Sequence, residues 1–92
     1  MPVHNNEIAD LFNKVADLLE IKGENPFRVR AYRDAARTVS NQSQSVADML
    51  EEGQDLSKLS GIGKDLAGKI RRIIETGELE LLNDLQQEMP GE

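Results

Sequence analysis

Leu56-Ser57-Lys58-Leu59-Ser60-Gly61-Ile62-Gly63-Lys64-Asp65-Leu66-Ala67-Gly68-Lys69-Ile70 reads as the end of a short helix, a turn with two glycines, and the start of a second helix. Leu56 and Leu59 are three apart and share a helical face; Leu66, Ile70, Ile73 and Ile74 continue that spacing beyond the glycines. Glycine tolerates positive φ and lets a partner approach the backbone closely. Gly63 stands immediately before the second helix, so the turn and the first helical residues can present unpaired N–H groups. Those groups and the helix dipole suit an anion, above all a phosphate. Ile62, between the glycines, can turn inward and pin the two helices.

An apolar pair, then glycine–aliphatic–glycine, then Ala67 and Ile70 is the pattern of a helix-hairpin-helix motif. Gly61, Ile62, Gly63 and Lys64 are therefore candidate phosphate-binding residues. The competing reading is a tight turn without a ligand. Ser60 stands where the motif usually has proline, which is expected to loosen the turn slightly.

Ninety-two residues support one small domain, expected over 1–92 with an ordered core at about 6–88. No cysteine is present, so disulfides and thiolate metal sites are excluded. His4, the only histidine, falls in an expected N-terminal tail, which excludes a histidine metal site or triad. No apolar run approaches the ~20 residues of a membrane span, and the start of the chain lacks signal-peptide features. A cytoplasmic monomer without membrane contact is expected.

The formal net charge is −6, yet it is unevenly spread. Residues 28–37 hold four arginines against Asp34 alone, a net +3. Residues 58–72 hold five cations against Asp65, a net +4, and the rest of the chain carries −13. DNA phosphates sense a local patch within a Debye length of roughly 8–10 Å, not the net charge.

Along the chain, residues 6–22 form an amphipathic pattern with Asn6 as the expected N-cap and Gly23 as the stop. Ile8, Leu11, Phe12, Val15, Leu18 and Leu19 make its stripe, with core the favoured role over a partner face. Asn25-Pro26 opens a second helix to about Ser40. Ala31, Ala35, Ala36 and Val39 give it a small-residue face, while Arg30, Arg33 and Arg37 project from another with Tyr32 beside them. Guanidinium binds phosphate in a fork, although a solvated helix face would look the same. Ser45 caps a short helix that stops near Gly53, and Asp55 caps the small helix before the hairpin. Helix 64–76 stops at Gly77, and 78–87 is a last helix with Leu79, Leu82 and Leu85 inward. Met89-Pro90-Gly91-Glu92 is expected to fray. The fold class is all-α: four main helices plus a short one, containing one helix-hairpin-helix motif.

The hairpin taken with Arg28-Val29-Arg30-Ala31-Tyr32-Arg33-Asp34-Ala35-Ala36 resembles the N-terminal lyase-type domain of the family X DNA polymerases, similar to that of polymerase beta. Ile21-Lys22-Gly23-Glu24-Asn25-Pro26-Phe27 looks most like the bacterial and archaeal branch, and the resemblance spans residues 5–88. It implies sequence-non-specific binding at DNA gaps or 5′-phosphate ends, as part of a repair polymerase whose remaining domains would be partners. It also implies a 5′-deoxyribose-phosphate lyase alternative, with Lys69 as the Schiff-base nucleophile. A lysine attacks an aldehyde only when neutral; Lys64 and Arg72 near Lys69 favour this and Asp65 opposes it. Arg28 and Tyr32 match the basic and tyrosine positions of the phosphate pocket, and Arg33 and Arg72 join the binding set. Ser57 and Asp65 stand where polymerase beta has lysines, and Glu78 and Glu80 replace basic residues, all of which removes positive charge; Gly68 stands where it has a glutamate. Similar domains hold a monovalent cation, K+ or Na+, on hairpin carbonyls, here those of Ser57, Leu59 and Ile62; no other cofactor is implied. The chain is too short to hold a polymerase palm. A third reading is a protein-interaction or inter-domain module using the acidic stretch from Glu75 to Glu92.

Overall fold

The computed structural model describes residues 3–88. Among them lie five α-helices and one 3-10 turn, without a strand: α1 (Asn5–Ile21), α2 (Pro26–Ser40), α3 (Val46–Glu51), the 3-10 turn (Leu56–Lys58), α4 (Lys64–Thr76) and α5 (Glu80–Glu88). The expected fraying of Met89–Glu92 lies outside the described residues.

The ends of these helices follow local chemistry. α1 begins one residue before the expected cap: His4, not Asn6, is its N-cap, and the His4 N–H donates to Glu7 Oε1 at 2.8 Å. His4 is thus a capping residue rather than part of a loose tail. Gly23 adopts φ +78° after α1. The Glu24 N–H then reaches the Leu19 carbonyl and the Gly23 N–H the Glu20 carbonyl, the paired bonds of a Schellman ending. Asn25 Oδ1 accepts from the Phe27 N–H at 2.9 Å, and Pro26 occupies the first helical turn of α2, where no N–H is needed. The last helix starts at Glu80 rather than Glu78. The Thr76 hydroxyl donates back to the Arg72 carbonyl at 2.8 Å and accepts from the Glu78 N–H at 3.1 Å, holding that residue in a turn beyond Gly77.

α1 and α2 run antiparallel and provide most of the packing. Phe12 and Tyr32 meet edge to face, ring centroids 5.7 Å apart, a geometry worth about 0.5–1.5 kcal/mol beyond burial. The small face of α2, Ala35, Ala36 and Val39, is buried against α1, which allows the close approach expected of alanine. Leu79, just before α5, and Leu82 and Leu85 on it close the core, as their spacing requires. Asn5 clasps the start of α3: its Nδ2 donates to the Gln44 carbonyl at 3.0 Å and its Oδ1 accepts from the Val46 N–H at 2.9 Å. That N–H belongs to the first turn of α3, where no intrahelical acceptor exists.

The 3-10 turn and α4 flank the hairpin. Ile62 is buried at 2% exposure and its N–H closes a turn onto the Leu59 carbonyl at 3.0 Å. Thr38 Oγ1 on α2 donates to the Ser60 carbonyl at 2.8 Å. Where proline was expected to stiffen the turn, a hydroxyl from another helix therefore holds it. Gly61 has φ +75°, and a Cβ there would meet only ordinary contacts, Asp34 Cβ at 3.9 Å and Thr38 Oγ1 at 4.0 Å. Its glycine requirement is therefore conformational. Gly61→Ala should cost about 1–2 kcal/mol, the left-handed penalty, and Ile62→Ala about 2–5 kcal/mol for a buried aliphatic truncation. Urea unfolding of the two variants measures both.

Candidate nucleic-acid interface

Gly63 is the N-cap of α4, with extended backbone (φ −88°, ψ −174°) and no side-chain cap. Among the described residues, the exposed N–H groups of Gly61, Gly63, Lys64 and Asp65 have no acceptor in the protein. Nothing lies within 4 Å of where a Gly63 Cβ would stand. Ile62 contributes differently from its neighbours: its N–H is taken by Leu59 and its side chain is core, so it positions the loop instead of contacting a ligand through its amide.

The basic windows are more compensated than their counts imply. Arg33 reaches Asp17 at 3.0 Å and Glu20 at 2.8 Å on α1. The hydrogen bonds it donates to Asp17, then to Glu20, raise its guanidinium above the ordinary value. Arg33 therefore ties two helices together, which corrects the expectation of a free three-arginine stripe. Arg37 pairs with Asp34 at 3.5 Å, Arg71 with Glu75 at 4.0 Å, and Arg28 approaches Glu24 at 3.9 Å. Arg72 meets Glu80 at 3.6 Å and Lys69 meets Asp65 at 2.9 Å. Within the two windows, Arg30, Lys58 and Lys64 have no carboxylate within ion-pair distance among the described residues. Lys58 and Lys64 bracket the hairpin. Lys58 is not among the residues the sequence pattern assigns to the site. Its signal was its position just before Leu59, one turn from the free N–H groups.

A groove of about 550 Å³ brings together Arg28, Lys64, Lys69 and Arg72 with Asp65, Glu80 and Asp84. Four of the residues expected at the site thus converge, from α2 and from successive turns of α4. Arg30, Arg33 and Arg37 line a separate groove, also about 550 Å³, beside Glu20, Glu24 and Asp34. Tyr32 is in neither. At 4% exposure its ring packs on Phe12, so it does not lie beside the arginines as the helical wheel placed it. The hairpin carbonyls divide as donors to a cation: those of Ser57 and Ile62 accept no backbone hydrogen bond, while that of Leu59 takes the Ile62 N–H and keeps one lone pair. Oxygen ligands of this kind suit hard cations. Gly68 opens on space, with nothing within 4 Å of a Cβ.

Over residues 3–79 the sequence matches the family described as the helix-hairpin-helix domain. The chain belongs to that family. Over 88 residues it is also 36% identical to the DNA polymerase/3′-5′ exonuclease PolX of Bacillus subtilis (strain 168). The match takes in 96% of this chain and 15% of that protein, in its N-terminal region. The chain therefore spans a small fraction of that relative's length. The family resemblance and the all-α fold read from the sequence both stand. No helix among the described residues is long and apolar enough to cross a membrane.

Asp55 shapes the approach to the hairpin. Its Oδ1 accepts from the Ser57 hydroxyl at 2.6 Å and the Ser57 N–H at 3.0 Å. These bonds, with lesser help from Lys58 and Lys64, lower its carboxyl below the ordinary 3.8. A depressed carboxyl stabilises the fold fully above the unfolded value and loses that contribution as pH falls through the folded one. Carboxyl and amide NMR titration should show Asp55 and Ser57 moving together, with a shared midpoint below the ordinary 3.8.

Proposed function

We propose that this domain binds DNA without sequence preference at gaps and 5′-phosphate ends, as the N-terminal part of a family X repair polymerase. The observation that carries this is the hairpin: exposed, unpartnered N–H groups at Gly61, Gly63, Lys64 and Asp65, bracketed by Lys58 and Lys64, which lack carboxylate partners. Backbone amides and lysines recognise phosphate oxygens and carry no base information. Arg28 and Arg72 extend the same surface along the groove. The similarity to a DNA polymerase supports the assignment to nucleic acid rather than to another anion. The remaining polymerase domains are the proposed partners in the longer protein.

With most cations compensated, few phosphates are neutralised. Anisotropy titrations with gapped duplex should give a log–log salt slope of about −2 to −3, the value for two or three phosphates. A gap carrying a 5′-phosphate should bind more tightly than one without it. Equal affinities would remove the end-recognition claim and leave generic binding.

Gly63→Ser separates structure from recognition. A serine at the N-cap should add a few tenths of a kcal/mol of stability. Its hydroxyl would also take an N–H of the first turn from the DNA. Stability should rise and affinity fall; a folded variant with unchanged affinity would make the hairpin purely structural.

A second reading, the lyase, is favoured by Lys69 sharing the groove with Arg28, Lys64 and Arg72. The neutral Lys69 amine would add to the C1′ aldehyde and expel water as the imine forms. Loss of a C2′ proton would then break the C3′–O3′ bond and release the DNA as a phosphate leaving group. Borohydride trapping on a 5′-incised abasic site should yield an adduct that Lys69→Ala abolishes. Adduct persisting in the variant would move the nucleophile elsewhere.

A further inference from the structure

The cations of the α4 groove differ in how tightly they are held. Lys64 has no carboxylate partner among the described residues. Arg28 and Arg72 stand 3.9 Å and 3.6 Å from theirs, with side chains 44% and 55% exposed. Lys69 is the exception. Its Nζ donates to both oxygens of Asp65, at 2.9 Å and 3.0 Å, and its side chain is only 24% exposed. The groove cation most withdrawn from water is thus the one already occupied by an anion. Asp65 itself is 80% exposed at the side chain, one turn away on the same helix, and nothing but Lys69 holds its carboxylate.

We propose that Asp65 is a selectivity residue: it masks Lys69 from monoanionic phosphodiesters and yields it to a terminal phosphate. The inference rests on the phosphate-binding reading above. A carboxylate carries one negative charge, as does each internal phosphodiester of DNA. Replacing Asp65 by a phosphodiester on Lys69 exchanges one monoanion for another and gains little Coulomb energy. A terminal phosphate carries about −1.5 to −2 at pH 7 and offers three acceptor oxygens. It outcompetes the carboxylate, which swings into solvent at little cost because it is already exposed. The acid at position 65 therefore makes the groove demanding: continuous strands meet a neutralised lysine, and a 5′-phosphorylated end meets an available one. Glu80 cannot serve in this way, because its contact with Arg72 is longer and better hydrated.

The test is a double-mutant cycle on Asp65→Asn and Lys69→Ala, read as affinity for gapped duplex with and without the 5′-phosphate at one salt concentration. Asp65→Asn should tighten binding to both, but more to the unphosphorylated gap. The preference for the phosphorylated gap should fall by roughly twofold, what an exposed i,i+4 ion pair commands. In a Lys69→Ala background the same substitution should leave the preference unchanged. A preference that survives Asp65→Asn, with both affinities rising equally, would reduce Asp65 to a diffuse negative charge and overturn the proposal. A preference that falls equally with and without Lys69 would overturn it too. If the unsubstituted protein shows no preference, the end-recognition reading fails and this inference with it; if the unsubstituted protein discriminates and the variant does so to the same degree, only the inference fails.

Discussion

Burial of one side chain, Ile62, governs what the hairpin can offer to a partner. With that aliphatic group in the core, the residue between the glycines cannot rotate outward, and the flanking backbone is left at the surface. Gly61 supplies the left-handed turn that makes the inward step possible, and the Thr38 hydroxyl fixes the carbonyl just before it. The amides of Gly63 and the first turn of α4 then face water without an internal acceptor. Preorganised donors of this kind need little rearrangement to meet an anion, so their ordering cost is met during folding.

The second determinant is the way charge is cancelled. A chain with a net charge of −6 brings a polyanion close only if its repulsion is local and its attraction is local too. Six of the basic side chains in the two windows sit within 4.0 Å of a carboxylate. Such pairs are individually worth little to stability at the surface. They nevertheless decide which cations remain to meet a ligand, and these are concentrated around the hairpin, with Arg30 apart on the far groove.

The helices were legible in the sequence because each rests on short-range chemistry: apolar residues three and four apart, Asn25-Pro26 at a start, and glycines at Gly23 and Gly77 at the stops. The hairpin was legible for the same reason, since two glycines around Ile62 form a local pattern. What the sequence hid was long-range. Arg33 reads as one of three arginines on a helical wheel, and only the antiparallel packing of α1 and α2 brings Asp17 and Glu20 to it. Tyr32 sits on the boundary between the alanine face and the basic face, and the edge of Phe12 draws it inward. The start of α1 was missed by one residue because a histidine is an uncommon cap, whereas Asn6 has the expected chemistry and Asn5 turned out to be needed elsewhere. Of the candidate site, Lys64, Lys69 and Arg72 share one groove because they follow one helix from one hairpin, whereas Arg28 reaches that groove from α2, a juxtaposition no local pattern encodes.

The amide of Asn5 has implications for how the domain can be dissected. It joins residues 39 and 41 positions away, using both its donor and its acceptor. A truncation drawn where the apolar period begins, at Ile8, would keep every stripe residue of α1 and still discard this clasp. The loop before α3 would then be anchored by neighbours alone, and α3 carries Val46 and Met49 into the wall that supports the hairpin. The first polar residues of the chain thus belong to the architecture of a site near its middle, and a minimal domain has to be cut by its hydrogen bonds rather than by its hydrophobic pattern.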